Sequence, residues 1–244
     1  MNSITIIQSR KRPDVLALEQ KQYRTALLGA GEVNFVSSLD ESLSWADPTL
    51  LLSNTRAVII GGSGEFDFDG GRTDDDPART TSHAILDRLT PIIQYVKEQK
   101  IPMLGICYGH QLVGEVYGAR VVHDLTQNKV GTFAVELTKE GCEDPLFAEL
   151  PREFLAQYGH KDSLSSLPAG ATVFAVGERC RFSALRYGPL FYTLQFHPEL
   201  TAQDSIEKLA NSPGYLPEGG MPEDLIRESP EASTLIPRFL SLIP

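Results

Sequence analysis

The chain has 244 residues with 32 acidic against 22 basic side chains, a formal net charge of -10, so nucleic acid is not expected as a partner. Its three cysteines, Cys107, Cys142 and Cys180, are odd in number and widely spaced, which argues against a disulfide framework or a paired CxxC zinc site and fits a reducing compartment. The opening MNSITIIQSRKRPD sets a short apolar run before its basic cluster, the reverse of a secretory signal, and no stretch is long enough to span a bilayer; a cytoplasmic chain with no membrane partner is expected.

The run Ile4 to Ile7 reads as a buried strand, and Val15 to Leu28 carries apolar residues at helical spacing until Gly29 and Gly31 stop it. Val33 to Val36 and Ala57 to Ile60 are further short strands, the latter ending in Gly61-Gly62-Ser63-Gly64. This rhythm is that of a parallel sheet. A strongly acidic insertion follows at about 65–80, then a helical pattern from about Thr81 to Lys100 that Pro91 is expected to kink or divide. Met103 to Ile106 is a strand candidate, and Tyr108 to Tyr117 a helix that Gly118 terminates.

From residue 130 the runs VGTFAVEL, EFLAQYGH, TVFAVG, FSALRYG and LFYTLQFH are short and β-rich, which predicts antiparallel pairing at one side of the sheet. A C-terminal helical extension at about 201–244 holds AQDSIEKLAN and EASTLIPRFLSL, joined by NSPGYLPEGGMPED. No internal repeat or composition break divides the chain, so residues 1–244 are read as a single α/β domain.

Cys107 lies where the strand ends and the helix begins, and a helix N-terminus stabilises a thiolate. Gly105-Ile106-Cys107-Tyr108-Gly109 has the G-x-nucleophile-x-G form of a nucleophile elbow, with the Tyr108 N–H directed at the oxygen of an attacked carbonyl. The competing reading is a small buried hydrophobe. His110, three positions on, looks at first like its base. A second candidate is His197 in Gln195-Phe196-His197-Pro198-Glu199, where Pro198 keeps the chain extended and Glu199 shares a side with His197. That pairing suits a base and its orienting acid, or an incidental ion pair at a strand end. Gly61 to Gly64 could bring a further backbone donor to the site, or form an ordinary turn; no GKS or GKT follows, which excludes a P-loop.

Together, GGSG after a strand, GICYGHQ and QFHPE resemble the class I, triad-type glutamine amidotransferases. LTKEGCEDPLFAELP, YGHKDSLSSLPAGATVFAVG and LFYTLQFHPE extend the likeness across most of the chain, toward the amidotransferase domain of GMP synthase and its free-standing relatives. The resemblance implies a three-layer, flavodoxin-like fold, a mixed and mostly parallel sheet flanked by helices. It implies Cys107 as nucleophile, His197 as base and Glu199 as its partner, with Gly62 and Tyr108 as oxyanion donors. Gln111 would contact the substrate glutamine and the Gly159-His160 backbone would hold its amino-acid end. His110 then drops out as base, its side chain expected to face a neighbouring loop. No cofactor and no metal are implied; the partners would be glutamine or another γ-glutamyl compound and a possible separate synthetase subunit.

Two other readings stand beside glutamine hydrolysis. A γ-glutamyl peptidase or hydrolase would cleave the same bond with a larger leaving amine, and a noncatalytic binding or regulatory protein could use the same scaffold, although it would have no chemical need for all three triad residues. In the insertion, Glu65, Asp67, Asp69, Gly70 and Asp76 fall near EF-hand calcium positions, but Arg72 stands where an apolar residue is needed and Asp76 where Glu is usual. A solvated acidic loop or lid is expected instead.

Overall fold

The computed structural model describes residues 3–210, 216 and 220–244. Its first half alternates strand and helix: β1 (Ser3–Gln8), α1 (Pro13–Ala26), β2 (Glu32–Ser37), α2 (Pro48–Leu51), β3 (Thr55–Ile60), α3 (Pro77–Glu98), β4 (Met103–Ile106) and α4 (Tyr108–Val116). The second half is mostly strand: β5 (Val121–His123), β6 (Lys129–Leu137), α5 (Lys139–Cys142), β7 (Glu153–His160), β8 (Asp162–Leu164), β9 (Thr172–Gly177), β10 (Cys180–Gly188) and β11 (Phe191–Leu194). Four helices close the described chain, α6 (Ala202–Ala210), α7 (Pro222–Leu225), α8 (Pro230–Ser233) and α9 (Leu235–Ser241). Of the Pro- and Gly-rich joint after α6, residues 211–215 and 217–219 lie outside the described residues.

The elements start and stop where side-chain chemistry directs. Pro13 opens α1, with Asp14 in the first turn and Arg24 in the last, each matched to the helix dipole. The Asp76 carboxylate accepts from the Ala78 N–H at 2.8 Å and Pro77 follows it, so α3 begins several residues before Thr81. Pro91 neither divides nor ends that helix. Ile85, Leu89, Ile92, Ile93 and Val96 are all buried on one face that continues across it, and this packing outweighs the roughly 3 kcal/mol that an interior proline costs.

The nine-stranded sheet has the order β2-β1-β3-β4-β11-β10-β9-β6-β7. β2, β1, β3, β4 and β11 pair in parallel, and β10, β9, β6 and β7 extend the sheet by antiparallel pairing. The β-rich second half therefore pairs as its short spacing predicts, with one exception: β11 joins β4 in parallel and completes the central half. Alternate residues face opposite sides. Ile4, Ile6, Ala57 and Ile59 join a core with Tyr23 of α1 and Leu235 and Phe239 of α9. Ile7, Val58 and Ile60 join another core with Leu89 and Ile93 of α3 and Leu112 of α4. The result is the three-layer arrangement of a mixed sheet between helices.

The carboxyl ends of the parallel strands converge. Leu194 of β11 is in register with Ile106 of β4, Gly105 of β4 with Ile60 of β3, and the Gly61 N–H donates to the Ile7 carbonyl of β1 at 3.0 Å. Gly61-Gly62, Cys107 and Gln195 thus leave the sheet side by side, at the edge where open α/β sheets bind ligands. The acidic insertion is less solvated than its composition suggests: Phe66 and Phe68 are buried within it, while residues 71–75 are exposed.

Candidate active site

Cys107 occupies the turn between β4 and α4 with φ 51° and ψ -99°, a conformation L-residues adopt only where the surroundings enforce it, at about 1–3 kcal/mol. Two bonds enforce it here: the Cys107 N–H donates to the Leu194 carbonyl at 2.7 Å, and the Gln111 N–H to the Cys107 carbonyl at 3.1 Å. The bracketing glycines are a packing requirement. A Cβ on Gly109 would lie 2.3 Å from the Ile60 carbonyl oxygen, so only glycine lets α4 start against β3. Tyr108 is the first residue of α4, and its N–H has no carbonyl a turn earlier within the helix to bond.

His197 follows β11 and is held by its own N–H, which donates to the Gln157 carbonyl of β7 at 2.8 Å. Its Nδ1 lies 2.6 Å from Glu199 Oε1, with both side chains buried. Its Nε2 has no hydrogen-bond partner among the described residues. A Cβ on Gly62 would come to 2.9 Å from His197 Cε1 and 3.6 Å from Cys107 Cβ; Gly62 therefore backs directly onto the imidazole and the Cys107 side chain.

The electrostatics follow from this packing. Burial opposes the Cys107 thiolate, but the His197 imidazolium and, more weakly, the Lys208 ammonium outweigh it and bring the thiol below the ordinary thiol range. Burial and Lys208 oppose a charged His197, yet Glu199 and Cys107 raise its pKa overall. Glu199, despite burial, is lowered by His197. All three shifts favour a thiolate beside an imidazolium that a carboxylate orients.

The other expected residues are brought to the same place in different ways. The Gly159 carbonyl lies 4.0 Å from Cys107 Sγ. The His160 ring sits with Nδ1 at 3.0 Å from the Asp162 carbonyl oxygen. Gln111 Nε2 donates to that same carbonyl at 2.8 Å and lies 3.5 Å from Gln195 Oε1. His110 does not face a loop: it is buried on α4 with Nδ1 2.8 Å from Thr193 Oγ1 of β11. Burial, reinforced by His160, pushes its pKa down to about 3, so it stays neutral and engaged on the sheet.

Residues 53–212 match the family model for class-I glutamine amidotransferases. The chain belongs to that family. Among curated relatives, a glutamine-hydrolysing GMP synthase subunit from Archaeoglobus fulgidus is 35% identical over 117 residues, covering 47% of this chain and 61% of that protein. Its counterpart from Methanocaldococcus jannaschii is 32% identical over 116 residues, covering 47% and 60%. The chain thus spans about 60% of the length of these relatives. A glutamine amidotransferase structure from Thermotoga maritima superposes with a TM-score of 0.71 at 20% identity, covering 99% of this chain and 96% of that one. One from Methylobacillus flagellatus gives 0.65 at 18% identity, covering 100% and 93%. These structural likenesses establish the amidotransferase fold.

In this amidotransferase the site also includes residues that sequence reasoning left without a role. Gln195 Nε2 donates toward Cys107 Sγ at 3.6 Å; its place two positions before His197 on one extended segment was the available signal. Half-buried Lys208 of α6 acts electrostatically on Cys107, His197 and Glu199, and nothing local in the sequence marks it. A cavity of about 300 Å³ opens beside His197, lined in part by Gly64, Gly159, Val15, Leu18 and Lys208. No group of side chains with metal-ligating geometry occurs among the described residues. Glu65 Oε2 instead accepts from the Lys11 and Arg12 N–H groups, Asp67 pairs with Arg72, and Asp76 caps α3. None of the described helices is long and apolar enough to cross a membrane.

Proposed function

We propose that this amidotransferase hydrolyses the γ-amide of glutamine to glutamate and ammonia through Cys107, His197 and Glu199. The observation that carries the reading is the strained, buried Cys107 set against an imidazole whose other nitrogen is bound to Glu199 at 2.6 Å. Cys107 sulfur attacks the γ-carbonyl carbon, and the developing oxyanion is received by the Gly62 and Tyr108 N–H groups. His197 holds the thiol proton and gives it to the leaving nitrogen as the C–N bond breaks, releasing ammonia and leaving a glutamyl thioester. It then takes a proton from water, which attacks the thioester and returns the sulfur. Glu199 fixes the imidazole tautomer throughout. Gln111 contacts the substrate glutamine, the Gly159-His160 backbone holds its amino-acid end, and Gln195 donates toward the sulfur.

Relatives named as subunits of glutamine-hydrolysing GMP synthase support a further step, in which the ammonia passes to a separate synthetase subunit. The cavity beside His197, with apolar Val15, Leu18 and Leu209 and the cation of Lys208, favours a second reading: a γ-glutamyl conjugate whose larger amine leaves through that space. A substrate panel decides between them. Glutamine and a set of γ-glutamyl peptides are supplied separately, with ammonia, glutamate and free amine quantified. Glutamate and ammonia in equal amounts from glutamine are expected; turnover of the peptides alone would transfer the assignment to the second reading.

A further inference from the structure

We propose that residues 65–76 of the acidic insertion form a wall of the substrate site and that Asp162 is the positioning residue that seats them; this rests on the glutamine-hydrolysing reading above. The Asp162 carboxylate is buried and accepts two backbone donors from the insertion, Asp69 N–H on Oδ2 and Gly70 N–H on Oδ1, each at 2.8 Å. Charge-assisted bonds of this kind fix both the position and the direction of a loop. The carbonyl of the same residue accepts the Gln111 side-chain amide at 2.8 Å and lies 3.0 Å from His160 Nδ1. One residue therefore joins the insertion to the Gln111 side chain, assigned to the substrate, and to His160, whose backbone is assigned to the substrate's amino-acid end.

Two further contacts tie the insertion to the same centre. Asp69 Oδ2 accepts the His123 N–H of β5 at 3.1 Å, and β5 pairs with β8, which carries Asp162. Phe68 stacks on Tyr108, with ring centroids 5.4 Å apart and planes at 22°, so the insertion also packs on the residue whose N–H is the proposed oxyanion donor. The turn itself needs glycine: Gly70 has φ 60°, and a Cβ there would meet Asp67 at 2.8 Å. A loop that served only as a solvated surface would need none of these contacts.

The test uses the full chain as wild type, Asp162→Ala, Asp162→Asn and Gly70→Ala. Four quantities are read: KM for glutamine, kcat for glutamine, tryptic cleavage after Arg72, and alkylation of Cys107 by iodoacetamide, which needs no amino-acid subsite. Asp162→Ala and Gly70→Ala are expected to raise KM about tenfold or more with a much smaller change in kcat. Cleavage after Arg72 should be faster and alkylation unchanged. Asp162→Asn, which keeps one acceptor oxygen, should recover part of the KM. Faster cleavage with an unchanged KM would overturn the insertion's part in substrate binding, and unchanged cleavage in both variants would overturn the seating by Asp162. If Asp162→Ala does not fold, Gly70→Ala carries the same comparison with Asp162 intact. A wild type without glutamine turnover overturns the functional reading and the substrate role with it, while cleavage after Arg72 still decides the seating.

Discussion

At the scale of single residues, a thiol buried among apolar groups would normally be inert, and Cys107 escapes that fate through His197 and, more weakly, Lys208. Its alkylation by iodoacetamide should therefore persist at pH values where an ordinary thiol is protonated, fading only as pH falls through the lowered pKa. His197→Ala should move that inflection up; an unmoved inflection would separate the imidazole from the thiol. The two histidines near Cys107 should also part company in kinetics. His197→Ala is expected to cost ~10³-fold or more in kcat, whereas His110→Ala, which removes a buried bond to Thr193, should lower Tm while leaving most of the activity. Comparable kcat losses in both would restore His110 as a base. Gly62→Ala places a methyl 2.9 Å from His197 Cε1, and should lose ~10²-fold in kcat with little change in the unfolding midpoint.

At the scale of elements, the catalytic turn depends on how closely α4 approaches β3. Gly109→Ala would set a Cβ 2.3 Å from the Ile60 carbonyl, a backbone atom that no rotamer change can clear. The helix must move off the strand and take the Tyr108 N–H with it, so thermal stability and kcat should fall together; a drop in one alone would contradict this account of the motif. Much of this was legible in the sequence. The strands at Ile4 to Ile7, Ala57 to Ile60 and Met103 to Ile106, the helix after Cys107, and the pairing of His197 with Glu199 are local patterns, and local sterics decide them. What escaped depends on partners far along the chain. Pro91 continues a helix because α3 is buried on both sides of it. β11 turns parallel because β4 lies beside it. The insertion is seated by Asp162, which lies 93 residues from Asp69, and Lys208 acts from a helix whose own pattern shows only an amphipathic face.

At the scale of the whole molecule, the site is embedded in the sheet, so its buried histidines couple folding to pH. His110 and His160 are held neutral, with burial pushing their pKa values to about 3 and about 4. An unfolded chain takes up those protons near the ordinary value of about 6.5. The folded state then binds fewer protons, so the stabilisation they provide is present above about pH 6.5 and is lost as pH falls toward 3, at up to ~1.4 kcal/mol per pH unit for each histidine. Denaturant unfolding across that range should show wild type weakening relative to His110→Gln as pH drops; a constant difference would refute the buried, neutral assignment. The three layers, the convergent strand ends and the coupled shifts of Cys107, His197 and Glu199 all serve one proposal, that Cys107 carries the glutamyl group during amide cleavage. Its most direct test is peptide mapping by mass spectrometry after treatment with a glutamine-analogue electrophile, in the presence and absence of excess glutamine. A single adduct on Cys107 that glutamine suppresses and His197→Ala slows is the result expected. An unmodified Cys107, or an adduct on Cys142 or Cys180 instead, would contradict it.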